Sequence, residues 1–182
     1  MFAATSLIPE LEDVVQNGTR EKRADALRRI TSLFIDGAAA FNDDHVQLFD
    51  DVFCELIAEI ETKARAQLSV QLAPVDNAPL SLVRKRAQDD DITVAGPMLR
   101  LSPRLDEGAL VEIAQSKGQA HLLAIAGRSE IGEAITDVLV NRGDREVVRH
   151  VADNYNARLS QNGFATLVER AEADGTLAEK VG

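Results

Sequence analysis

Apolar residues recur at helical spacing almost from the start of this chain. Leu7, Leu11, Val14 and Val15 fall at i, i+4, i+7 and i+8, which predicts a short helix capped by Ser6 and stopped at Asn17-Gly18. A second helix is expected from about Thr19, with Ala24, Leu27, Ile30 and Phe34 inward and Arg20, Lys22, Arg23, Arg28 and Arg29 largely outward, ending at Gly37 and the small residues to Ala40. From Asp43 to Leu72, Val46, Phe49, Phe53, Leu56 and Ile60 alternate steps of three and four, a heptad-like seam that Val52 and Ile57 widen. Read as one helix, this stretch spans ~45 Å at ~1.5 Å per residue and outruns its neighbours. Either later elements cover the excess, or a second copy of the chain does, as a homodimer through helix 43–72. Glu59 with Lys63 and Glu61 with Arg65 are i,i+4 pairs that support it.

The clearest break is "APVDNAP", residues 73–79, where two prolines stop any helix. A short helix, "LSLVRKRAQ", follows, with Leu80 and Val83 inward. Arg84-Lys85-Arg86 then close one helix and Asp89-Asp90-Asp91 open the next, each charge matching the helix dipole it meets. The three aspartates lack the alternate spacing of a calcium loop.

Beyond residue 90 the pattern repeats. Asp91 is followed at +3 and +7 by Val94 and Met98, Asp144 by Val147 and Val151, and Asp174 by Leu177 and Val181. Each is an Asp N-cap opening a helix with one buried stripe. "GQAHLLAIAG" supplies a further start without the Asp, with Leu122 and Ala126 in similar places. Between these starts, Leu105-Asp106 with Leu110 and Leu159-Ser160 with Phe164 have the form of a hydrophobic staple, and Ile131-Gly132 with Thr136 is a weaker version. Second helices are expected through Leu110, Ile113 and Ala114, then Ile135, Val138 and Leu139, then Phe164, Leu167 and Val168. Pro97 should kink or shorten the first repeat helix.

A hairpin of this size cannot bury its apolar face alone, whereas stacked neighbours can. The fold expected is all-α: a helical bundle over 1–73, a linker and short helix over 74–90, and a short α-solenoid of stacked helical hairpins over 91–182. The chain stops inside a fourth unit, so the array is expected to continue past Gly182.

Composition agrees with helix over sheet. Aromatics are 4% of the 182 residues and Trp is absent, leaving a core of Ala, Leu, Val and Ile. The net charge is −10, with acids exceeding bases in both halves, which disfavours nucleic acid and favours basic partners. The single cysteine, Cys54, excludes an internal disulfide and fits a reducing cytoplasm. The N-terminus has no basic n-region, and no apolar run reaches the ~18–20 residues of a membrane span. A cytoplasmic protein is expected, with no membrane partner.

Candidate chemistry is sparse. His45, His121 and His150 lack metal-ligand spacing, and Cys54 sits on an apolar helix as a small buried hydrophobe. Gly127-Arg128-Ser129 and Asn141 to Asp144 read as helix stops, with Gly143 as a C′ residue and Asp144 as the next cap. No catalytic residue, metal site or cofactor is expected. One set of residues suggests a surface: Arg100, Arg128 and Asn154-Tyr155 lie about one repeat apart, at equivalent corners, where solenoids commonly present ladders to an extended partner.

The segments "VAGPMLRLSPRLDEGALVEIAQ" and "LLAIAGRSEIGEAITDVLVNRGDREVVRHVADNYNARLSQNGFATLVERAEADGTLAEKVG" resemble a bacterial family labelled domain of unknown function 2336, and the internal unit resembles HEAT-like and leucine-rich-variant repeats. The resemblance implies an all-α repeat fold and a chain that is the N-terminal part of something longer. It implies no activity. The function expected is therefore a non-enzymatic interaction or scaffold module for a protein or peptide. The alternatives are a nucleic-acid-binding HEAT-like solenoid and a regulatory or sensory domain of a bacterial signalling protein.

Overall fold

The computed structural model describes residues 13, 14, 17–57 and 60–172. Among them the chain is all-α: ten α-helices form and no strand. The lone bridge, Ile131 to Ala157, joins two corners. The helix expected around Leu7 to Val15 and the unit begun at Asp174 lie outside the described residues, apart from Asp13, Val14 and Asn17.

The first helix, α1 (Arg20–Gly37), starts where Thr19 accepts the Lys22 N–H, and it buries Leu27, Ile30 and Phe34 as the spacing predicts. A 3₁₀ turn, Ala38–Ala40, leads to α2 (Asp43–Leu56). Asn42 accepts the His45 N–H at 3.0 Å, and His45 Nδ1 accepts the Asn42 N–H at 3.4 Å, so His45 serves in a capping box. Phe34 lies edge-on to Phe49 and Phe53, with centroids 5.0 and 6.1 Å away, in the spacing aromatic pairs prefer.

The expected helix 43–72 is two helices. The chain leaves helical geometry at Ile57 and resumes as α3 (Thr62–Leu72). Leu56, Ile57 and Ile60 are all buried and share one helical face, but Ser69 and Leu72, also buried, would fall well round the axis from that face on a straight rod. Breaking the helix lets α3 fold onto α1 and the helix that begins at Ile92, which buries Leu68, Ser69 and Leu72, and it removes the ~45 Å overhang. Arg65 steadies the corner by donating from Nη1 to the Ile60 carbonyl at 3.0 Å. Glu61 becomes the N-cap residue, so the predicted Glu61–Arg65 pair does not form and Arg65 approaches Asp89 instead. Glu59, of the other predicted pair, lies outside the described residues.

Residues 73–79 turn with Ala73 and Ala78 fully buried, and α4 (Leu80–Ala87) follows. Its inner face is Leu82, Val83 and Arg86, with Leu80 only half-buried, a shift from the predicted pair. Pro79 precedes the helix and has no side chain to cap it. Asp50 of α2 does so, accepting the N–H groups of Ser81 at 3.0 Å and Leu82 at 2.9 Å.

Six further helices follow: α5 (Ile92–Leu101), α6 (Glu107–Ser116), α7 (Gln119–Ala126), α8 (Glu133–Arg142), α9 (Arg145–Asp153) and α10 (Gln161–Glu172). Asp91, Asp106 and Asp144 cap as predicted, accepting the N–H of Thr93, Ala109 and Val147. Ser160 accepts the Gly163 N–H at 2.9 Å. Val94, Met98, Leu122, Val147 and Val151 are buried. Helix α5 runs through Pro97, which only deprives the Thr93 carbonyl of its i+4 donor.

Two expectations fail locally. Phe164 is 52% exposed, so the second staple does not close. Gly163 takes the buried place beside Asp137, where a Cβ would collide with its carboxylate, and the helix turns Phe164 outward. Gly143 is extended rather than left-handed. It is needed because a Cβ there would strike the Leu139 carbonyl and the Val147 side chain.

The helices pack in two rows. α1 lies on α3, α3 on α5, α5 on α7 and α7 on α9, while α2 lies on α4, α6 on α8 and α8 on α10. One hydrophobic core runs between the rows from Leu27 to Ala171, so the alternation seen after residue 90 extends through the first half as well.

Candidate interaction surface

Each corner of the first row is tied to the one before it. Arg128, after α7, donates from Nη1 to the Leu99 carbonyl at 2.8 Å and from Nη2 to the Ser102 carbonyl at 3.0 Å, closing the C-terminus of α5. Asn154, after α9, donates to the Arg128 carbonyl at 2.8 Å. Arg104 does the same to Ala78 at 3.1 Å, and Asn77 to Ala38 at 2.6 Å. The last carbonyls of a helix have no partner within it, and at Leu99 the next hairpin supplies one, while the other ties are made to carbonyls of the turns themselves.

The second row repeats the device. Arg142 at the end of α8 donates to the Ala114 carbonyl, and Arg170 in α10 donates to Val140 at 2.7 Å and Gly143 at 2.8 Å. Gln119 also bridges, to the Arg142 carbonyl and from the Asp144 N–H. The planar fork of arginine suits two neighbouring carbonyls better than a point-charged lysine does.

The corner ladder predicted from sequence therefore has two kinds of member. Arg128 and Asn154 meet, but their polar groups are spent on main chain, and burial lowers the Arg128 pKa from its ordinary value. Tyr155 is fully exposed, and Arg100 is exposed with Nε 3.0 Å from where a Gly127 Cβ would stand. Arg142 and Arg170 were missed as caps, and Arg104 as a tie to the turn before α4. Their signal, a donor placed about one repeat after a helix end, is visible only once the repeat length is known.

The three aspartates after α4 separate into three roles. Asp89 lies 3.2 Å from Arg86 and 3.4 Å from Arg65, and its carbonyl is 2.9 Å from His121 Nε2, which sets that nitrogen as the protonated one. Asp90 pairs with Lys117, whose hydrogen bond lowers its pKa, and Asp91 caps α5, its pKa lowered by the Thr93 hydroxyl and N–H. Burial lowers the pKa of Arg86, with Asp89 opposing. His121 is thus a buried link between α7 and the end of α4. Cys54 is half-buried, 3.8 Å from Asp50, and burial followed by the Asp50 charge raises its pKa. Such a thiol is a poor nucleophile. Among the described residues no group of three or more His, Cys, Asp or Glu side chains gathers as a metal site.

The exposed side of the first row is furrowed. One hollow of about 520 Å³ lies between α1 and α3, lined by Leu27, Thr31, Lys63, Ala64 and Val70. A second of about 510 Å³ crosses α3, α5 and α7, lined by Val70, Gly96, Pro97, Arg100, Leu101 and Leu123. Val70 and Leu101 are 59% and 55% exposed, and Val70 belongs to both hollows.

An all-α protein of paired helices, each pair locked to the last through its corners, is the class that these features define. Residues 94–182 match the family described as an uncharacterised protein conserved in bacteria, DUF2336, which is the family resembled in the sequence, and the match takes in the chain from α5 onward. No curated protein and no solved structure matches the chain. No helix among the described residues is long and apolar enough to cross a membrane.

Proposed function

We propose that the chain is a HEAT-like α-solenoid acting in the cytoplasm as a non-enzymatic interaction or scaffold module for a protein or peptide. The observation that supports it is the tie from each corner of the first row to the one before, as with Arg128 on Leu99 and Ser102. Such ties hold successive hairpins at fixed spacing, so equivalent surface residues form a rigid row that an extended partner can follow. Arg100 and Tyr155 are the corner residues placed to touch that partner, and Arg128 and Asn154 hold the corners in position. Nucleic acid is disfavoured because Arg104, Arg128 and Arg142 are turned onto carbonyls rather than outward as a basic stripe.

A photo-reactive amino acid at position 155 of the full-length protein, activated in its own cells, tests this reading. The expected product is a discrete protein adduct that Arg100→Ala depletes at least about tenfold, on the order of 1.4 kcal/mol. Recovery of nucleic acid in place of protein, or of no adduct at any corner position, would count against it.

A further inference from the structure

We propose that the exposed face of α1, α3, α5 and α7 is a docking groove for an amphipathic helix whose apolar residues recur every seven positions and whose flanks are acidic. The inference rests on the scaffold reading and names the partner's chemistry.

The two hollows adjoin at Val70 and together reach four helices. Their lining is largely apolar: Ala64, Gly96 and Pro97 leave room for inserted side chains, and Val70 and Leu101 are exposed to meet them. Packed helices stand about 8–10 Å apart, and seven residues of helix rise about 10.5 Å. A helix laid across the row thus drops apolar residues at i, i+7 and i+14 into successive gaps. A strand, whose side chains repeat about every 7 Å on one face, does not keep this step.

Charge selects the flanks. The chain carries −10 overall, yet the charged residues lining the furrow are Arg28, Lys63 and Arg100, with no Asp or Glu among the lining residues. Arg28 is paired with Asp25, whereas Lys63 and Arg100 make no ion pair with any described residue. At this rim acidic flanks meet a favourable field and basic flanks a repulsive one, the reverse of the rest of the surface.

The test uses the intact 182-residue chain and a fluorescent synthetic helix of about 20 residues, long enough to cross three gaps, with leucines at heptad spacing and glutamate flanks. Anisotropy is expected to show saturable binding, at least about tenfold tighter than for a lysine-flanked twin and weakened by raised salt. Val70→Asp and Leu101→Asp, both at exposed sites, should each weaken it about tenfold or more, with unchanged melting. Lys63→Glu with Arg100→Glu should reverse the preference between the twins. Equal affinity for both peptides, or no saturable binding, overturns the proposal. Light scattering that shows a dimer dissolved by Val70→Asp also overturns it, since a second copy then fills the furrow. Tyr155→Ala should leave peptide binding intact, so a lost corner adduct with retained peptide binding sinks only the placement of the partner at the corners.

Discussion

Asp50 and Leu82 stand 32 residues apart in sequence and 2.9 Å apart in space, the carboxylate of one accepting the buried N–H of the other. A second carboxylate oxygen takes the Ser81 N–H, so α4 owes its cap to α2. Asp50→Ala strands two N–H groups at a helix start and should destabilise the chain by about 1–3 kcal/mol, read as a lowered urea midpoint. Asp50→Asn, which keeps one acceptor, should lose less. Equal midpoints for wild type and Asp50→Ala would refute the cap.

Arg128 makes a second long-range claim. Arg128→Ala removes two charge-assisted hydrogen bonds to α5 and should cost about 1.5–3 kcal/mol. Arg128→Lys should recover less than half, because an ammonium cannot span both carbonyls as the fork does. A variant that keeps its thermal midpoint while losing a partner would instead make Arg128 a contact residue.

Two glycines give opposite expectations. At Gly118, the extended N-cap of α7, an added Cβ meets nothing within 4 Å and no side chain caps the helix. Gly118→Ser should stabilise by a few tenths of a kcal/mol, roughly the gain of a hydroxyl cap over glycine. Gly143→Ala meets backbone and the Val147 side chain and should cost about 1–3 kcal/mol. Differential melting of the pair decides whether close packing at Gly143 is real.

Acid should loosen the corners. Asp91 and Asp106 have pKa values held below the ordinary carboxyl range, Asp91 chiefly by the Thr93 hydroxyl and Asp106 chiefly by the Ala109 N–H. A depressed folded pKa contributes stability that is present above the unfolded value, about 3.9, and is lost as pH falls through the folded one. Denaturation midpoints should fall below about pH 4, and the Asp91→Asn Asp106→Asn double variant should fall less steeply over that window. Parallel curves for the two proteins would reject this assignment.

Helix caps and buried stripes were legible in the sequence because both are local. Asp91 with Val94 and Met98, or Asp144 with Val147 and Val151, depends on atoms within two turns, and each appears where the spacing puts it. Arg128 and Asn154 were legible as corner residues because each follows the end of a helix. Their chemistry was not, since whether Arg128 faces solvent or the carbonyl of Leu99 depends on how the next hairpin docks.

The chain's own pattern therefore determined that it is all-α and where most of its helices start. Only the tertiary structure decided that helix 43–72 breaks at Ile57, that Phe164 turns outward, and that Val70 joins Leu101 along an open furrow. Periodicity counts apolar residues on a face without saying what covers it. When Leu56 and Leu72 cannot share one face of a straight helix, bending the chain buries both, and the gain from burial outweighs the few hydrogen bonds that a continuous helix would keep.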